Sequence, residues 1–471
     1  MNTQGTIIPL RTSASSAVQG PESVSTGVFD QHHPPASQLI DKCVHCGFCL
    51  PACPTYTLWR EEMDSPRGRL YLMQMGLAGE ATLDSTYVRH FDQCLGCMAC
   101  VSACPSGVQY DLLIEATRAQ IERHYSRPAG DRFFRWLLFQ LFPYPGRLRV
   151  ALPFLWAYQN LGIRKLVHAL GLGKLLPERF RAMEELLPQV SLRALRSHLP
   201  LRIAPQGTRR LRVGLLLGCV QRLFFDETNA ATARVLAAEG CEVIIPRPQG
   251  CCGALMAHAG REVEAVAAAR ALIDTFEREA VDVLVINAAG CGSHAKLYGH
   301  LLRDDPEYAE RARAFAAKCK DVSELLAGLG PRAPRHAIPM RVALQDSCHL
   351  LHAQGVRDAP RELLAGIPAL EVVEIAESGL CCGSAGIYNL VEPGTANELG
   401  ERKLRNIFAA GAEALASGNP GCLLHLQVAM RRLGEVLPAF HTIELLDASI
   451  RGIRPQMRPA ESIKAAPAEA A

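Results

Sequence analysis

Two cysteine runs carry the most specific spacing in the chain. The first is Cys43-Val44-His45-Cys46-Gly47-Phe48-Cys49-Leu50-Pro51-Ala52-Cys53-Pro54. The second is Cys94-Leu95-Gly96-Cys97-Met98-Ala99-Cys100-Val101-Ser102-Ala103-Cys104-Pro105. Both read C-x2-C-x2-C-x3-C-P. Two-residue gaps let the backbone curl so that three thiolates reach three irons of one cubane, while the fourth cysteine points to the other cluster. The spacing therefore assigns Cys43, Cys46, Cys49 and Cys104 to one [4Fe–4S] cluster. Cys94, Cys97, Cys100 and Cys53 are assigned to a second. Gly47 and Gly96 allow close backbone approach and N–H donation to sulfur. Structural zinc sites use other gaps. His45 is read as a surface side chain.

A second set of cysteines recurs farther along. Cys219, Cys251-Cys252-Gly253 and Cys291-Gly292-Ser293-His294 are followed by Cys348-His349, Cys381-Cys382-Gly383 and Cys422-Leu423-Leu424-His425. The order Cys, Cys-Cys-Gly, Cys-x-x-His appears twice. Small buried hydrophobes are the ordinary role of free cysteine, but a repeated pattern points to a further metal or cluster site in each half, with His294 and His425 as possible extra donors. Cys241 and Cys319 have no counterpart and are read as structural.

The elements that must hold these residues follow from pattern. Ser65 and Pro66 suit an N-cap and a first helical position, so a helix should start there. Residues 111–123 again read as helix. From Leu211 the texture changes to strand–helix alternation, with apolar runs at 211–217, 241–245, 281–286, 341–346 and 370–375. Helices are expected at 230–239, 262–279 and 396–410. That alternation implies βαβ units with parallel sheets. The repeated cysteines fall at the C-terminal ends of these strands, where open α/β sheets bind ligands.

The expected fold is α+β and multidomain. It comprises a flexible extension (1–35), an α-helical ferredoxin domain (36–125), a helical connector (126–208), two cysteine-rich α/β domains (209–335 and 336–454) and a tail (455–471). Within the connector, 133–158 admits two readings. One is helices packed on a domain surface. The other is a face that touches a membrane or partner through Trp136, Phe139, Phe142 and Trp156.

Composition narrows the rest. A chain of 471 residues with 18 cysteines, 49% hydrophobic residues and a net charge of +3 does not suit a disulfide-stapled module or a nucleic-acid binder. No signal peptide and no membrane-spanning run is expected. No Gly-x-Gly-x-x-Gly follows a strand, so neither FAD nor NAD is expected on this chain.

The chain resembles the iron–sulfur subunit of glycolate oxidase over about residues 36–450. The resemblance rests on Lys42 to Cys49, Cys53-Pro54-Thr55-Tyr56, Asp64-Ser65-Pro66-Arg67-Gly68-Arg69 and Cys104-Pro105-Ser106-Gly107-Val108. Cys381 to Gly386 and Asn419 to Leu426 complete it. It implies an electron-transfer subunit of a cytoplasmic complex peripheral to the inner membrane. FAD-binding partner subunits would oxidise glycolate to glyoxylate, and electrons would pass through two [4Fe–4S] clusters toward quinone. D-lactate or glycerol-3-phosphate dehydrogenase subunits, and a heterodisulfide reductase-like catalytic subunit, are the alternatives. The reductase-type domain ends in Cys-x-x-Cys, whereas both halves here end in Cys-x-x-His.

Overall fold

The computed structural model describes residues 28–190, 192 and 199–456. The expected extension and tail lie largely outside these residues. Residues 28–35 are packed rather than free. Val28 and Phe29 are buried in the ferredoxin-type core, and Asp30 accepts hydrogen bonds from Gln120 and Arg123.

The N-terminal region is helical. Pro54–Trp59 begins directly after Cys53. Pro66–Ala78 starts at Ser65, whose hydroxyl accepts from the Gly68 amide at 3.0 Å. Tyr110–His124 closes the region and packs Leu113, Ile114 and Ile121 inward.

The connector is a set of helices that braces both cysteine-rich halves. Ala129–Leu141 buries Phe134 and Leu138 against Leu390 and Val391 of the second half, and Phe139 in the core of the first. Pro145–Asn160 sends Leu148 and Leu152 onto Leu223.

Each half is an open α/β unit. The first has strands β1 (Arg202–Ile203), β2 (Leu211–Leu216), β3 (Cys241–Ile244), β4 (Val283–Ile286) and β5 (Cys319–Asp321), in the order β1-β3-β2-β4-β5. Every pairing is parallel except β1 with β3. The second has β6 (Met340–Gln345), β7 (Leu370–Val373), β8 (Ala414–Ser417) and β9 (Ala439–His441), ordered β7-β6-β8-β9 and all parallel. Omitting β1, the two orders are the same.

The halves share one apolar core, which runs from Val213 and Leu236 to Val342 and Phe440. Asp226–Ala238 packs on Thr442–Arg451, and Val322–Leu329 packs on Asp358–Ala365. Arg234 clamps Asp447 across this junction at 2.7 Å.

Candidate metal centres

The two cysteine runs fold into adjoining cavities. Cys43, Cys46, Cys49 and Cys104 line one, with Cys100 at its edge. Cys53, Cys94, Cys97 and Cys100 line the other. The fourth cysteine of each run thus joins the first three of the other. All eight thiols are free, as a thiolate ligand set requires. The Gly96 amide points at Cys94 Sγ (3.4 Å) and the Val108 amide at Cys104 Sγ (3.5 Å).

The two cavities differ in surroundings. The first is near the surface: Cys46 is exposed, and Val44 and Phe48 of its loop are 68% and 65% exposed. The second is buried. Arg69, fully enclosed, lies beside it and donates to the His90 carbonyl (2.6 Å) and to Asp64 (3.3 Å). Burial alone would push the Cys94 thiol up. The Arg69 and Arg118 cations outweigh it and bring Cys94 below the usual thiol range. Arg69 was visible only as part of a motif, and Arg118 carried no sequence signal.

The repeated cysteines gather at the C-terminal sheet edges. In the first half, thiol contacts run Cys219–Cys251–Cys252–Cys291. In the second they run Cys348–Cys381–Cys382–Cys422, with Cys348 and Cys381 sulfurs 4.0 Å apart. The glycine after each pair has a steric reason. Gly253 and Gly383 sit at φ +86° and +96°. A Cβ there would stand 3.1 Å from the Ala265 carbonyl oxygen and 2.4 Å from that of Ala396. Four converging thiols in each half suit a thiophilic metal or cluster. Cys241 and Cys319 lie apart from these groups, at the starts of β3 and β5.

The surroundings of the thiols differ between the halves. Cys219, Cys251 and Cys252 are all pushed up, by thiol neighbours and burial. In the second half the row alternates: Cys348 and Cys382 are driven down, and Cys381 and Cys422 are driven up by their thiol neighbours and burial. Cys381 contacts both, Cys422 supports Cys382, and His349 and His425 add favourable contacts. Buried Lys403 is close enough to Cys382 and Cys381 for their charges to interact, and it donates to the Glu377 and Ser378 carbonyls. Seven residues past Ala265 and Ala396, which carry the equivalent carbonyls, stand Leu272 and Lys403.

The terminal histidines also differ. His425 Nε2 donates to the Ala396 carbonyl at 2.9 Å. His294 is 1% exposed and neither ring nitrogen has a partner. Burial lowers its pKa to about 4, so the ring is neutral. It stands near His258, which contacts Glu115 of the ferredoxin-type region at 3.0 Å and lies 5.1 Å, centroid to centroid, from His349. The sequence pattern named His294 and His349, but not Glu115 and His258 beside them, because these residues meet only across domain boundaries.

The buried cavity abuts the second half. Leu95, Cys97 and Ala99 share one apolar cluster with Cys348, Leu380 and Cys381, and Cys97 is close enough to Cys348 for their charges to interact. Ser102 Oγ and His352 Nδ1, 2.7 Å apart, fasten the same contact.

Comparisons with known proteins give the arrangement its family. Residues 39–108 match a 4Fe-4S dicluster domain, and 213–296 and 342–427 each match the cysteine-rich domain. Residues 130–187 match the linker region of the glycolate oxidase iron–sulfur subunit. A probable glycolate oxidase iron–sulfur subunit of Bacillus subtilis is 39% identical over 86% of this chain and 92% of its own length. That of Escherichia coli is 34% identical over 88% and 95%. The chain belongs to the glycolate oxidase iron–sulfur subunit family. Lactate utilization protein A of Oceanobacillus iheyensis is 29% identical over 51% of this chain and 99% of its own. As a glycolate oxidase-type iron–sulfur subunit, the chain is an electron-transfer component of an oxidoreductase complex.

Proposed function

We propose that this chain carries electrons from a flavoprotein partner that oxidises glycolate to glyoxylate, through two [4Fe–4S] clusters, toward quinone. Cys43, Cys46, Cys49 and Cys104 hold one cluster; Cys53, Cys94, Cys97 and Cys100 hold the other. Bound clusters of this kind supply one-electron exchange. The chain's own residues set direction and access. Exposed Cys46 and its loop present one ligand set to a partner. Arg69 and Arg118 place positive charge beside Cys94, which favours the more reduced, more negative state of the buried site.

The observation that carries this reading is the packing of Leu95, Cys97 and Ala99 in one apolar cluster with Cys348, Leu380 and Cys381. It makes the second cysteine-rich half the next station after the buried ligand set. That half, with Cys348, Cys381, Cys382 and Cys422, holds a further cluster or metal; its His425 is committed to a backbone carbonyl and is not a ligand. In the first half, with Cys219, Cys251, Cys252 and Cys291, the unpaired ring of His294 is the extra donor.

Cys97→Ser is the decisive variant. Iron and acid-labile sulfide should drop by about four atoms each per chain, and glycolate-dependent quinone reduction by the assembled complex should fall at least about a hundredfold. Full activity with unchanged metal content would overturn the proposal. Assay of the complex across 2-hydroxy acids tests glycolate against D-lactate.

A further inference from the structure

The connector presents an apolar face that the domains beside it do not cover. On Pro145–Asn160, Val150 and Phe154 are 69% and 74% exposed, with Leu161 just beyond at 66%. The next helix, Ile163–Ala169, buries none of its residues; Leu166, and Leu170 at its end, are 58% and 63% exposed. Trp136 on the preceding helix is half exposed and stacks on Phe133. Three of the four anchors suggested by the sequence do not belong to this face, because Phe139, Phe142 and Trp156 are drawn into packing clusters.

Charge says what covers it. Between Arg132 and Pro177 there is no Asp or Glu, against seven Lys and Arg. The whole chain is nearly balanced, with 50 basic and 47 acidic residues. Arg135 is paired with Asp131 and Arg164 with Glu184 from beside the stretch, which leaves Arg132, Arg147 and Lys165 as its exposed cations among the described residues. Helices that pair exposed Leu, Phe and Trp with an excess of cations suit the interface of anionic lipid. Among the described residues no helix is long and apolar enough to cross a membrane, so the contact is with the surface.

We propose that the connector, through Val150, Phe154, Leu161, Leu166 and Leu170 with its surrounding cations, is the surface by which this subunit lies on an anionic bilayer. It rests on the electron-transfer reading only in placing electron delivery to quinone at a membrane.

The test is co-sedimentation of the full, cluster-loaded chain with vesicles of mixed phosphatidylcholine and phosphatidylglycerol, and with vesicles of phosphatidylcholine alone. The wild-type chain should bind the mixed vesicles, more weakly as salt rises, and bind the neutral ones poorly. The triple variant Phe154→Glu/Leu166→Glu/Leu170→Glu should bind the mixed vesicles at least about tenfold more weakly. Its iron content should be unchanged, because all three side chains are exposed. Lys165→Glu should weaken binding to the mixed vesicles only. The proposal is overturned if the wild-type chain ignores the mixed vesicles or if the triple variant binds them as tightly. It is equally overturned if the triple variant keeps lipid binding but no longer co-purifies with its flavoprotein subunit, since the face would then belong to that partner. A chain that binds vesicles yet accepts no electrons would sink the electron-transfer reading and leave this one standing.

Discussion

The two cysteine-rich halves share a strand order, a Cys-Cys-Gly turn and a row of four thiols, yet they surround those thiols with different side chains. In the second half, Cys348 and Cys382 lean toward thiolate, and His349, His425 and Lys403 are close enough to act on the row. In the first half Cys219, Cys251 and Cys252 are driven toward the neutral form. The position equivalent to Lys403 is Leu272, and the terminal imidazole has no partner. A duplicated scaffold fixes where ligands stand. The residues packed around them, many from another domain, fix their charge. The half that meets the buried ferredoxin-type ligands is the one with a lysine and two imidazoles beside its thiols.

The glycines give the largest contrast. Gly383→Ala should cost about 4 kcal/mol and Gly253→Ala about 2, read by urea unfolding. Both pay the positive-φ penalty, but the added methyl would overlap the Ala396 oxygen far more than that of Ala265. Equal losses would mean that the second-half turn can relax.

Lys403→Leu should make the second half resemble the first. It leaves the Glu377 and Ser378 carbonyls short of a donor, at about 2 kcal/mol. Metal content of the second half should fall while that of the first holds. Retained metal would show that the cation does not distinguish the halves.

Glu115 probes how the first half is tied to the ferredoxin-type region. Burial pushes its carboxyl up, but the His258 hydrogen bond and the nearby imidazoles bring it down to about 2, from an ordinary 4.5. A depressed carboxyl contributes stability that is complete above its unfolded pKa and is lost as pH falls from about 4.5 toward 2. Glu115→Gln should remove about 2 kcal/mol at neutral pH. Stability of the variant should be flatter than wild type across that acid window. Parallel profiles would dissociate Glu115 from the first half's acid response.

The smallest contrast lies in the terminal histidines. His425→Phe strands the buried Ala396 carbonyl and should cost about 1.5 kcal/mol in thermal unfolding. His294→Phe removes two unpaired buried nitrogens and should be neutral within about 0.5 kcal/mol. Only the His294 variant should change the metal content of the first half, where its ring is the proposed extra donor; unchanged metal would remove it from the ligand set.

Much of this was legible in order along the chain. Ligand spacing, the Ser65 cap and the long apolar runs are local signals, and β2, β3, β6 and β7 start within a residue of the runs that announced them. β8 was not anticipated because Ala414-Leu415-Ala416-Ser417 lacks β-branched residues; it is a strand because β6 and β9 flank it on both sides. β5 and β9, three residues each, are too short to show a period. What the sequence hid was convergence: Arg118 reaching the His258 carbonyl, Cys97 meeting Cys348, and three imidazoles gathering near one glutamate. These join residues tens to hundreds of positions apart, and no local pattern encodes them.

The reciprocal helix pairs at the shared core have a historical reading. The first long helix of each half packs on the last helix of the other, which is the geometry of an isologous two-fold contact. An ancestor with a single half would have buried this same surface by self-association. Gene fusion would then have made the pairing permanent and freed one copy from having to match the other.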